Sequence, residues 1–147
     1  MIAAHRAIVV SVVVSVAAFL PSIAAAQTVS GFKTPSNNIF CIIEPADETQ
    51  PESDLRCDIQ QTSSKPPPVP KDCPLSWGDA FSIGQNGNSG ILLCHGDTTR
   101  NDALMVLPYG SVWNQGGFSC KSQTSKLTCI NHKGHGFMIS RAVQKVF

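Results

Sequence analysis

Six cysteines constrain this chain more than any other feature: Cys41, Cys57, Cys73, Cys94, Cys120 and Cys129. Successive cysteines lie at least nine residues apart. Structural zinc sites instead hold ligands in close pairs, about two to four residues apart. An even cysteine count in a small exported domain reads as a disulfide framework. Asn38–Ile43 and Leu55–Ile59 read as two strands joined by a polar loop, and Phe118–Cys120 and Lys126–Ile130 as a second such pair. That local pattern selects Cys41–Cys57, Cys73–Cys94 and Cys120–Cys129 from the possible pairings. Each bridge closes a loop of about 10–20 residues, on the order of 3 kcal/mol in the chain-entropy model.

The exported context comes from the N-terminus. His5 and Arg6 are followed by the apolar run Ala7–Leu20, broken only by Ser11 and Ser15, and Pro21 ends it. Ala24 and Ala26 then occupy the small-residue positions of a cleavage site, with Gln27 as the new N-terminus. This order is that of a secretory signal over residues 1–26. The run is shorter than the roughly 20 apolar residues of a membrane span, and no later segment suits one. The expected product is a periplasmic or secreted domain over 27–147, monomeric, with no transmembrane segment.

Eleven glycines and ten prolines in 147 residues interrupt nearly every stretch long enough to form a helix. The longest stretch without either in 27–147, Phe118–Lys133, is rich in Ser and Thr, which compete for the helical backbone. Ala80–Ile83, the glycine-rich segment Gly84–Gly90 and Ile91–Cys94 read as strand, hairpin loop and strand. Gly136–Ile139 adds another strand. Arg141–Phe147 reads as a last strand or a short helix capped by Ser140. The fold class is mostly β: a small disulfide-stapled sheet, sandwich or open barrel of seven to nine short strands. Pro66–Pro70 is a stiff extended strap packed on its own domain. Phe32–Cys41 and Cys120–Cys129 share a ten-residue frame of lysine, hydroxyl, aliphatic and final cysteine, marking either two similar hairpins or a chance similarity.

Removing Arg6 with the signal leaves ten basic and ten acidic residues, which argues against nucleic acid as the main partner. The distribution is uneven. Residues 44–58 carry six acids against Arg56, whereas residues 103–147 carry Lys121, Lys126, Lys133, Arg141 and Lys145 and no acid. The two poles either face each other or are merely solvated, or the basic third is a face for an anionic surface such as lipid headgroups or an acidic protein.

Candidate chemistry is sparse. His95 and Asp97, two apart, share a side on a strand and suit an oriented general base. His135 is the candidate acid of a metal-independent hydrolase or nuclease. The competing reading makes Asp97 and Thr98 a turn. With all cysteines paired no thiol is left for catalysis, and no G-x-S-x-G elbow is present. His132 and His135 have H-x-x-H spacing, but nothing nominates further ligands. Neither a metal nor another cofactor is expected. Trp77, Tyr109 and Trp113 are candidates for a shallow binding patch or for filling the core.

The motif order Phe32–Cys41, Leu55–Ile59, the proline strap before Cys73, Trp77-Gly78, Cys94–Thr98, Leu107–Gly110, Leu127–Asn131 and Gly134–Phe137 resembles a family of small exported bacterial proteins classed as a domain of unknown function. The resemblance covers Phe32–Phe147. It implies export and a single domain, and supplies no activity or ligand. Asn37-Asn38 stands where a Gly-Asn turn is expected. Three readings follow: a non-catalytic module binding an envelope or extracellular protein, a small hydrolase using His95, Asp97 and His135, or an envelope-associated protein with a basic C-terminal face.

Overall fold

The computed structural model describes residues 29–147, and the expected signal at 1–26 lies outside them. Eleven strands follow in order: β1 (Gly31–Lys33), β2 (Ile39–Glu44), β3 (Asp54–Ile59), β4 (Ser76–Gly84), β5 (Ile91–His95), β6 (Met105–Val106), β7 (Val112–Gln115), β8 (Phe118–Ser122), β9 (Leu127–Asn131), β10 (Gly136–Ile139) and β11 (Gln144–Val146). The all-β class is as expected. The strand count exceeds seven to nine because very short strands such as β1 and β6 pair at the sheet edge. The C-terminal segment is a strand, not a helix, and Ser140 instead closes a tight turn by accepting from the Val143 amide at 3.0 Å. Among the described residues no helix is long and apolar enough to cross a membrane.

The strands form two sheets, in the orders β5-β4-β3-β2-β1-β6 and β11-β10-β9-β8-β7. Each contains a five-stranded antiparallel meander, and the two meanders pack around one core. Strand alternation explains which side chains turn inward. In β3, Leu55, Cys57 and Ile59 enter the core cluster, while Arg56 and Asp58 occupy the other face.

The cross-strand register aligns the two halves. One sheet presents the row Phe32, Cys41, Cys57, Phe81, Leu92 across β1 to β5. The other presents Trp113, Cys120, Cys129, Phe137, Val146 across β7 to β11. A second row repeats as well: Leu55 pairs with Ile83, and Leu127 with Ile139. Corresponding members meet across the core. Phe32 and Trp113 lie 5.0 Å apart by ring centroid, and Phe81 and Phe137 6.1 Å. The Sγ atoms of Cys41, Cys57 and Cys129 lie within 4.8 Å of one another. Each buried ring contributes about 1.5–3 kcal/mol of transfer free energy. The ten-residue echo does mark two hairpins of matching register, since Phe32 pairs with Cys41 and Cys120 with Cys129. The deeper correspondence, however, is one strand out of step with it, aligning β1 with β7 and β2 with β8.

All three expected disulfides are present, and no described cysteine is free. The clustered sulfurs are therefore bridges rather than thiolate ligands. Of the proline strap, Pro66 packs against Gly78, while residues 66–69 are exposed. Gly78 has φ +97°, and a Cβ there would overlap Pro66. Asn37 supplies the left-handed residue of its turn at φ 53°, a conformation that Asn tolerates better than most residues.

One end of the sandwich is tied shut between the sheets. Asn131 Nδ2 donates to the Gly84 carbonyl at 3.0 Å and to that of Gly87 at 2.8 Å. Lys133 Nζ donates to the Asn86 carbonyl at 2.7 Å, and Gln85 Nε2 to that of Gly116 at 3.3 Å. The opposite end is bridged on one side, where the Arg141 carbonyl accepts from the Ser63 amide at 2.7 Å and from Thr62 Oγ1 at 3.0 Å and Gln144 Nε2 donates to Thr62 Oγ1 at 2.9 Å, and it is open beside these bonds.

Candidate functional site

His95 ends β5, at the edge of the first sheet. The chain then crosses that sheet's outer face to reach β6 at the far edge, where Leu107 N donates to the Lys33 carbonyl at 2.9 Å. Arg56 anchors this crossover. Its side chain is 6% exposed, and that of Asp58 is 3%. Arg56 forks onto Asp58 through Nε at 3.0 Å and Nη2 at 3.2 Å. It also donates from Nη1 to Asp97 Oδ1 at 2.9 Å and to Glu44 Oε1 at 3.3 Å. Asp58 Oδ2 accepts from the Thr99 amide at 2.8 Å, and Thr99 Oγ1 donates to the Phe40 carbonyl at 2.9 Å. The pair is thus bidentate and further hydrogen-bonded, the condition under which a buried ion pair is tolerated. Burial pushes the Glu44 carboxyl up, against the pull of Arg56. The Arg56 hydrogen bond draws the Asp97 carboxyl below its ordinary value.

His95 is held from both sides. Its Nδ1 donates to the Asp97 carbonyl at 2.6 Å, and its Nε2 faces Asp79 Oδ1 at 2.9 Å. Burial works against the charged ring, but these two oxygens outweigh it and raise the His95 pKa. With both ring nitrogens facing oxygen partners, neither is left free to act as general base or metal ligand. His95 and Asp97 are therefore brought together, as expected, but through the Asp97 backbone. The Asp97 carboxylate itself turns to Arg56. His135 is not brought to them. It precedes β10 in the turn whose amides are held by Asn131 Oδ1 at the tied end. Gly136 abuts Gly90, at the start of β5, whereas His95 is at that strand's other end.

The aromatic candidates also separate. Trp113 is buried in the core against Phe32, Trp77 is half-buried on β4, and only Tyr109 is well exposed. The C-terminal bases do not form one face. Lys133 is bonded at the tied end, Lys121 and Lys145 are exposed on β8 and β11, and Lys126 and Arg141 stand at the open end.

The open end holds a groove of about 480 Å³. Six connections build it: residues 34–38 between β1 and β2, residues 60–61 after β3, Arg100 between β5 and β6, Tyr109 between β6 and β7, residues 123–126 between β8 and β9, and residues 140–142 between β10 and β11. Both hairpins of the sequence echo contribute their tips. Its wall carries the amides Asn37, Asn38, Gln60, Gln61 and Gln123, the hydroxyls Thr34, Ser36, Thr124, Ser125 and Ser140, and Tyr109. Three cations, Arg100, Lys126 and Arg141, line it, and no carboxylate does. Asn38 stiffens the wall, donating to the Gln61 carbonyl at 3.0 Å and accepting from the Gln61 amide at 2.9 Å.

The model of DUF6636, a family of unknown function, matches residues 12–147. The chain belongs to DUF6636. No curated protein and no solved structure matches it. For this DUF6636 member, sequence reasoning missed Arg56, Asp58 and Asp79 as one network with His95. The signal was present in β3, where Arg56 and Asp58 alternate with three core residues. The groove had no signal of its own, because its residues are scattered over six connections.

Proposed function

We propose that the protein is an exported, non-catalytic binding module that engages a component of the cell envelope or the extracellular space through the open-end groove. The observation carrying this reading is the groove at the open end. Both ends carry cross-sheet bonds, but at the open end polar and cationic side chains also surround a cleft. Specific sites combine a preformed concavity with a few placed polar groups. Both nitrogens of His95 are committed to structure, which weighs against the hydrolase reading.

The test places a photo-crosslinking side chain at Ser125, in the groove, or at Asn88, in the loop beside the tied end. Oxidised residues 27–147 are then exposed to the native envelope and medium. An adduct formed from position 125 and not from 88 supports the reading. Equal labelling from both positions, or none from 125, overturns it.

A further inference from the structure

We infer that the groove takes an anionic glycan, a polyhydroxylated chain bearing carboxylate or phosphate groups. The inference rests on the binding-module reading and names the ligand class of that same site. Amide and hydroxyl side chains both donate and accept, as hydroxyl-rich ligands require. Among the described residues the side chains of Gln123, Thr124 and Ser125 have no hydrogen-bond partner, so they are available at the groove wall. Tyr109 is 41% exposed and offers a ring face to the C–H side of a sugar. Lys126 and Arg141, with no carboxylate among the lining residues, give the cleft one sign of charge although the mature chain is neutral overall, and the third cation, Arg100, is paired with Asp102 at 3.6 Å. Such a cleft concentrates anions, and charge-assisted hydrogen bonds to carboxylate or phosphate are the stronger kind.

Other ligand classes fit less well. A peptide interface needs desolvated apolar anchor pockets, but the lining Ile39, Leu127 and Ile139 are themselves buried in the core. Single-stranded nucleic acid needs successive aromatic platforms, and this groove has one.

The experiment is an amide-resonance titration of isotope-labelled, oxidised residues 27–147 with three probes: an oligogalacturonate, a glycerol-phosphate oligomer and a neutral malto-oligosaccharide. One or both anionic probes shift resonances in residues 34–38, 123–126 and 140–142, and the neutral probe does not. The responding probe identifies carboxylate or phosphate as the source of charge. Lys126→Gln and Arg141→Gln each weaken that binding about tenfold, whereas Lys133→Gln at the tied end leaves it unchanged. Resonance dispersion confirms that each variant is folded. Equal shifts from the neutral probe overturn the anionic class and leave the binding module standing. No groove shifts with any probe, together with no adduct from position 125, overturn both. Capture of a protein from position 125, with no glycan response, overturns the glycan alone.

Discussion

Phe81 and Phe137 face each other across the two sheets, their centroids 6.1 Å apart, and each is the cross-strand partner of a half-cystine, Cys57 and Cys129. The two meanders therefore place equivalent residues in contact, and the core is organised as paired rows.

Such pairing predicts energetic coupling. Phe81→Leu and Phe137→Leu, measured singly and together by denaturant unfolding, should show a coupling of about 0.5–1.5 kcal/mol. Phe40 is just as buried, but it lies outside the core cluster, on the face covered by the crossover. Phe40→Leu should be additive with Phe137→Leu. Additivity in both cycles would refute the paired-row description.

Some of this was legible in the sequence. Cys41–Cys57 and Cys120–Cys129 followed from the strand patterns around them, with Cys73–Cys94 the pairing expected beside them, and the mostly-β class followed from glycine, proline and hydroxyl content. The repeated rows were not legible. Cys57 and Phe81 are separated by the long proline-bearing connection at 60–75, while Cys129 and Phe137 are separated only by the turn at 132–135. Unequal loops hide a repeat that register restores. The His95 pair was half legible, since spacing showed the proximity of Asp97 but not that its carbonyl, rather than its carboxylate, receives the ring.

Arg56 should be worth far more than its exposed partners. Arg56→Met strands the buried Asp58 carboxylate and should cost about 3–5 kcal/mol. Asp97→Asn, at a side chain 78% exposed, should cost less than about 1 kcal/mol. Replacing both members of the buried pair, as in R56M/D58L, should recover much of the loss. Protease cleavage within residues 96–104 reports whether the crossover has come loose.

The raised pKa of His95 fixes the direction of a pH effect. Below about pH 6.5 the ring is charged in both the folded and unfolded chains, and its two bonds contribute in full. As pH rises through the raised folded value the ring loses its proton and the contribution fades. The unfolding midpoint should therefore fall from pH 6 toward pH 8. Asp79→Asn should flatten that slope by removing the carboxylate that faces Nε2. A midpoint unchanged over this range in the wild-type protein would show that His95 is not held as an imidazolium.

The disulfides should rank against loop length. Chain entropy alone makes Cys120–Cys129, with a separation of 9, the weakest staple, and Cys73–Cys94, with a separation of 21, the strongest. The expected difference is only about 0.7 kcal/mol by that model. Burial acts the other way. Cys120 and Cys129 are fully buried in the centre of a core row, whereas Cys94 is exposed and Cys73 half-buried. Replacing the first pair by alanine removes two sulfurs from between packed side chains and adds a cavity cost of about 1 kcal/mol or more. C120A/C129A should therefore lower the denaturation midpoint further than C73A/C94A. The reverse order would mean that the unfolded chain, not the core row, governs what each bridge contributes.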